Sequence, residues 1–228
     1  MKILSLHSWD VSYSEARAIQ ESLRHKVKSG SLPKRLRFVA GADVSYEKHG
    51  DTFFAGVLVW DMKTGEVVEE RGAIGQVSFP YIPGLLSFRE APVLLDAFRA
   101  IESRVDAVIV DGQGLAHPRG LGLASHICLL LNKSGAGCAK SLLVGEHDAV
   151  GSHKGDRAAL MFDGCCVGTV LRTRDCVKPV FVSPGHRLSV KAAAELVLRC
   201  STKYRQPEPT RLAHGFVNRI RREKLSGH

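Results

Sequence analysis

The run RFVAGADVSYEKHGDTFFAGVLVWDMKTGEVVEERGAIGQV, residues 37–77, decides the fold. It divides into three strand-like stretches, Arg37–Tyr46, Thr52–Trp60 and Glu66–Val77, rich in β-branched and aromatic residues. Short turns holding Gly50 and then Lys63-Thr64-Gly65 separate them, which predicts an antiparallel meander. In the first stretch Phe38, Ala40, Ala42 and Val44 share one face of a strand. Asp43 lies on the other face, beside the small residues Gly41 and Ser45. Strand interiors disfavour aspartate, so this one is either an edge charge facing water or a carboxylate with work to do in the space its neighbours leave.

Upstream, Ser12 and Glu15 form a capping-box pattern that opens a helix from Ser12 to about Val27, with Ala16, Ile19, Leu23 and Val27 at helical spacing. A loop with Gly30 and Pro33 follows. Downstream, the segment Phe79–Gly84 breaks the strand pattern. A helix then runs to about Ile101, opened by Ser87 with Glu90 three residues on; Pro92 must sit in its first turn or kink it. Ala107–Val110 reads as a buried strand, Leu121–Leu131 as a helix and Ala139–Val144 as a second buried strand. Strands near Leu160–Phe162, Val167–Leu171 and Pro179–Val182, a helix from Ser189 and a basic helix from Thr210 to about Lys224 complete the chain. Three antiparallel strands, then helix, strand, helix, strand, is the order of a ribonuclease H-like core. The prediction is therefore an α/β fold with a mixed sheet flanked by helices, as a single domain over residues 1–228.

Composition bounds the function. With 44% hydrophobic and 24% charged residues and no apolar run of membrane-spanning length, the chain reads as soluble and cytoplasmic, and the apolar start MKILSL is too short for a secretory signal. At 228 residues it buries a core unaided and is expected to be a monomer. Its six cysteines show no CxxC pair and read as reduced thiols, with a structural zinc site as the alternative. A net charge of +9 suits a polyanionic partner such as nucleic acid, although surplus charge also serves solubility alone. Gly112-x-Gly114 lacks the remainder of a dinucleotide fingerprint. The segment 151–155 is not a P-loop, and no GxSxG elbow is present.

Asp111 follows Val108-Ile109-Val110 and opens Gly112-Gln113-Gly114, so it caps the carboxyl end of a buried strand, where open α/β sheets bind ligands. A turn aspartate stabilising its own loop is the alternative. Glu90 lies early in a helix, where routine capping also explains a carboxylate. In a core of this topology the first strand, the fourth strand and the intervening helix meet on one side. Asp43, Glu90 and Asp111 would there repel one another unless divalent cations intervened, and such oxygen ligands suit Mg²⁺ or Mn²⁺.

The segments 40–46, 80–90 and 111–119, together with 139–145, 183–186 and 207–211, resemble endonuclease V in order and spacing, over nearly the whole chain. The resemblance implies Mg²⁺-dependent cleavage at the second phosphodiester 3′ of a deaminated base, chiefly deoxyinosine in DNA, leaving 3′-hydroxyl and 5′-phosphate ends for repair. Inosine in single-stranded RNA is the alternative substrate, and a non-catalytic lesion-binding protein is the rival class. It implies Asp43, Glu90 and Asp111 as metal ligands, and His214, at a position that often holds aspartate in relatives, as a further candidate ligand. It implies a strand-separating wedge at Pro80, Tyr81, Ile82 and Pro83, where the residues alone would suggest loop anchors. His117 and Lys140 match positions near the scissile phosphate, Lys140 being read as directly preceding a buried strand. Gly84, Leu86, Gly112 and Gly137 become candidates for the pocket of the flipped base.

Overall fold

A computed structural model describes residues 1–47 and 50–226. After helix α1 (Tyr13–Arg24) comes the meander β1 (Phe38–Tyr46), β2 (Thr52–Asp61) and β3 (Glu66–Gln76). Helix α2 (Leu86–Ala100), β4 (Ala107–Val110), α3 (Leu123–Leu131) and β5 (Gly135–Ala139) follow. The second half contains β6 (Arg157–Phe162), β7 (Cys165–Leu171), β8 (Val180–His186), α4 (Val190–Cys200) and α5 (Glu208–Ser226). All eight strands form one sheet in the order β3-β2-β1-β4-β5-β8-β7-β6. The β1–β4 and β4–β5 pairs are parallel and the others antiparallel, so the mixed ribonuclease H-like sheet is present.

The two faces of the sheet follow from alternation. Ala40, Ala42, Val57 and Val110 pack with α2 and α3, whereas Val39, Leu58 and Ile109 pack with α4 and Ala213 of α5. Helix α5 crosses β1 so closely that a Cβ on Gly41 would lie 2.1 Å from the Pro209 carbonyl oxygen. The small residue beside Asp43 is thus what lets α5 lie against the strand.

Several boundaries differ from the sequence reading. The Ser12–Glu15 capping box is present and opens α1. Ser87, however, does not open α2: the helix starts at Leu86, its N-cap is Leu85, and the Ser87 hydroxyl is buried against His126 Nδ1 at 3.1 Å. Pro92 lies seven residues into α2, past the first turn. The strand expected at Ala139–Val144 is Gly135–Ala139 instead, and Leu142 and Leu143 are exposed. Lys140 therefore follows a buried strand rather than preceding one. The reason is room: a Cβ on Gly135 would meet Cys128 Sγ at 2.4 Å and the Val108 oxygen at 2.7 Å, so only a run of very small residues fits between β4 and β8. β8 likewise continues through Ser183-Pro184-Gly185 to His186. Among the described residues, no helix is long and apolar enough to cross a membrane.

Candidate active site

Ala42 of β1 faces Val110 of the parallel β4, so Asp111, just past the end of β4, lies beside Asp43 within β1. The Asp111 N–H donates to the Ala42 carbonyl at 3.2 Å, extending the ladder to that point. Alternation aims Asp43 at the face covered by α5. There His214 Nδ1 donates to Asp43 Oδ2 at 2.7 Å. The Ser45 hydroxyl donates to Asn218 Oδ1 at 3.3 Å, which turns the Asn218 amide nitrogen toward the His214 Nε2, 3.2 Å away, and the His214 carbonyl, 2.8 Å away. Nε2 is then the acceptor and the imidazole proton sits on Nδ1, facing Asp43.

Lys140, at the end of the neighbouring β5, donates to Asp111 Oδ2 at 2.6 Å. Its backbone carbonyl is held by Arg205 at 2.8 Å. Glu90 arrives from α2, on the opposite face of the sheet, and is buried. Burial first, and then the charges of Asp43 and Asp111, push its pKa up to about 8. Asp43 is also raised, by burial and then by Asp111, with His214 opposing. These three carboxylates therefore share one electrostatic site, although they reach it from both faces.

Among the described residues, no three acidic, histidine or cysteine side chains are drawn around one point, because Lys140 and His214 take up Asp111 and Asp43. The donor chemistry fits a hard divalent cation all the same. Its ligands are carboxylate oxygens, and Asp43 and Glu90 are held against ionisation by burial first and then by the charge of neighbouring carboxylates, which a cation would offset. Asp43, Asp111 and Glu90 are the residues that would hold it, with His214 adjoining Asp43.

Beside this cluster lies a cavity of 260 Å³ lined by Tyr81, Gly84, Leu86, Gly112, Gln113 and His117, among others. Gly137 does not line it but forms its support, since a Cβ there would sit 2.3 Å from the Gly112 oxygen. The rim is fixed at Gly84, whose φ of +78° suits glycine. Its carbonyl accepts from His117 Nε2 at 3.0 Å, Gln20 Nε2 at 3.0 Å and Arg119 Nη2 at 2.5 Å. His117 Nδ1 accepts the Arg119 N–H at 3.2 Å, so the ring is the neutral Nε2-protonated form. Burial, then the neighbouring Arg119 charge, depresses its pKa to about 4. With both nitrogens bound to backbone, His117 is a wall residue of the cavity in this structure.

The four-residue tip from Pro80 to Pro83 stands over the cavity. Tyr81 is 70% exposed, whereas Ile82 packs on the cluster of Phe79, Leu85 and Phe88. The tip is thus anchored at its base and bare at its ring. Reading by sequence overlooked Gln20, Arg119 as a clamp, and Asn218. Gln20 left one signal, a polar residue on the buried α1 stripe of Ala16 and Leu23. Asn218 and the Arg119 clamp left none, because their partners are distant in sequence.

A family model for endonuclease V matches residues 21–215. Endonuclease V of Trichormus variabilis is 47% identical over 214 residues, covering 93% of this chain and 97% of that protein. The crystal structure of endonuclease V from Streptomyces avermitilis superposes with a TM-score of 0.90 at 39% identity, covering 99% of this chain and 100% of that one. The Ciona intestinalis endonuclease V D234N variant, in complex with a 23mer DNA containing an inosine followed by a ribo-adenosine, matches with a TM-score of 0.83 at 25% identity, covering 93% of this chain and 99% of that one.

Proposed function

The chain belongs to the endonuclease V family, and we propose that it cuts DNA at the second phosphodiester 3′ of deoxyinosine, as a Mg²⁺-dependent repair endonuclease leaving 3′-hydroxyl and 5′-phosphate ends. The observation that carries this reading is the adjacency of Asp43, within β1, and Asp111, just past the end of the parallel β4, with Glu90 electrostatically coupled to both. Asp43, Asp111 and Glu90 would hold a divalent cation, Mg²⁺ or Mn²⁺, which would supply activation of water and neutralisation of phosphodiester charge. Lys140, joined to Asp111 at 2.6 Å, supplies a positive charge beside the site for the phosphate. His214 holds a proton against Asp43 and so limits that carboxylate's negative charge.

The 260 Å³ cavity would take the flipped base, with the backbone of Gly84, Leu86 and Gly112 reading its edge and Gly137 allowing the floor to close beneath it. His117 keeps Gly84 in place by its hydrogen bond and need not titrate to do so. Tyr81, bare at the end of the stiff Pro80–Pro83 tip, would replace a lost base partner when the lesion leaves the stack. One sheet runs through the whole described chain, which supports reading it as one domain.

A second reading, inosine in single-stranded RNA, draws support from the ribo-adenosine that follows inosine in the oligonucleotide bound by the Ciona protein. One experiment separates these and the binding-only rival. Single-inosine oligonucleotides, as single-stranded DNA, duplex DNA and RNA, are incubated with Mg²⁺ or with chelator, and with wild type or Asp43→Ala. Metal-dependent cutting one nucleotide beyond the inosine, lost in Asp43→Ala while binding persists, is the expected result. Binding without any cutting by the wild-type protein would refute the enzyme assignment.

A further inference from the structure

Next to the cavity assigned to the lesion lies another of 230 Å³, lined by Tyr46, Phe53, Tyr81, Leu86, Arg89 and Glu90. The two are of nearly equal volume, and Tyr81 and Leu86 line both, forming the partition between them. Phe53 is its buried floor. Tyr46 stacks on Phe53 with ring centroids 5.2 Å apart and planes 22° apart, across the β1–β2 register in which these two residues face each other. Arg89 covers Phe53 as well, its guanidinium 4.8 Å from the ring centroid, and is fixed by donating to the Phe79 carbonyl at 2.7 Å. The floor is thus rigid, yet Tyr46 remains 52% exposed and Tyr81 70% exposed. Two bare aromatic rings beside one small cavity leave apolar surface in water unless a flat ring covers them.

We propose that this cavity takes the base of the nucleotide directly 3′ of the lesion. The inference rests on the reading of the protein as an inosine endonuclease cutting at the second 3′ phosphodiester. The cavity opens on Glu90, one of the carboxylates proposed for the metal. A strand with its damaged base in the larger cavity and its scissile phosphate at that cluster carries one nucleotide between the two points. That nucleotide must cross the Tyr81–Leu86 partition, and the surface beyond it is the stacked Tyr46–Phe53 pair. Stacking on tyrosine requires a π face and no particular hydrogen-bonding edge, so the subsite accepts any of the four bases and gives grip without sequence preference. Its size excludes a folded partner.

The test pairs the ring with the base it is held to contact. Binding of fluorescently labelled single-stranded oligonucleotides with one inosine is measured in Ca²⁺ for wild type, Tyr46→Ala and Tyr46→Phe. The nucleotide 3′ of the inosine is either normal or abasic, and a third substrate carries the abasic position on the 5′ side. Tyr46→Ala should bind the normal substrate roughly five- to a hundred-fold more weakly, and Tyr46→Phe within about two-fold of wild type. On the 3′-abasic substrate, wild type and Tyr46→Ala should bind alike, whereas the 5′-abasic substrate should show the full loss. Equal losses on the normal and 3′-abasic substrates would assign Tyr46 a structural part and overturn the proposal, as would no loss on either. A wild-type protein that binds inosine no better than adenine would overturn the underlying reading, and the inference with it.

Discussion

Gly41→Ala is the sharpest perturbation of the site, because it touches no proposed catalytic group. The added Cβ would lie 2.1 Å from the Pro209 carbonyl oxygen and 2.8 Å from Pro209 Cα, both backbone atoms at the start of α5. To reach ordinary contact the strand and the helix must separate by roughly 1.3 Å, and overpacking of this kind costs about 1–3 kcal/mol. For a chain of this size that lowers Tm by roughly 2–12 °C. The same separation draws His214 away from Asp43, now 2.7 Å distant, and a misplacement of about 1 Å in a catalytic array costs on the order of a hundred-fold in rate. Gly215→Ala is the matched control: it lies on the same helix, next to His214, and its added Cβ meets nothing within 4 Å. That variant should gain about 0.8–1.0 kcal/mol from helix propensity and keep its activity. Thermal melts and inosine cleavage rates of both variants check this. Gly41→Ala with wild-type Tm and wild-type cutting would refute the packing of α5 on β1, and with it the placement of His214.

Further outcomes follow from the buried titrating groups and from the exposed tip. Glu90, held up to about 8 against an ordinary 4.5, keeps its proton in the folded protein over a range in which the unfolded chain releases it. Its contribution is therefore full below pH 4.5 and lost as the pH rises through 8. Without divalent cation, Glu90→Gln should gain on wild type between pH 5 and pH 8, on the order of a few kcal/mol by urea titration; a pH-independent difference would show that Glu90 is not buried among like charges. His117 has the opposite sign, since a pKa of about 4 against 6.5 means that the unfolded chain takes up protons the fold refuses. The stability of His117→Gln relative to wild type should rise as the pH falls from 6.5 toward 4, and a flat difference in the same assay would count against the neutral, doubly bonded ring. Tyr81→Ala should slow cutting of duplex substrates more than of single strands; equal slowing would remove the wedge.

What the sequence exposed and what it hid divide on a physical line. The meander was legible because Phe38–Val44 and its neighbours alternate with period two and their turns carry glycine, all local properties of the chain. Asp43 and Asp111 were legible as charges at strand positions that discourage them, and their adjacency followed once the β1–β4 pair was parallel. β5 was hidden because Gly135-Ala136-Gly137-Cys138-Ala139 has almost no strand propensity. Its residues are chosen by the lack of space beside Cys128, Val108 and Gly112, a tertiary constraint. The apolar Leu142-Leu143-Val144 drew the strand assignment five residues past its end at Ala139, although two of these side chains are exposed and line the larger cavity.

The approach of Glu90 was hidden for a related reason. Sequence places it in the first turns of α2 but does not say that this helix covers the face opposite the one toward which Asp43 points. Expecting all three carboxylates on one side makes Glu90 a third equivalent ligand. The structure instead makes it the buried member of the set, reached from behind, and its environment does the work that composition could not reveal. Asp43 and Asp111 keep Lys140 and His214 as partners, while Glu90 meets their charges with only Arg89 opposing. Among the three, Glu90 is therefore the carboxyl whose ionisation depends most on a cation arriving. Binding of Mg²⁺ to the wild-type protein should release protons near pH 7, and this release should fall in Glu90→Gln while the Lys140 and His214 contacts remain available to the other two. Proton release measured by calorimetry in buffers of different ionisation enthalpy checks this, and equal release from both proteins would place the coupled proton elsewhere.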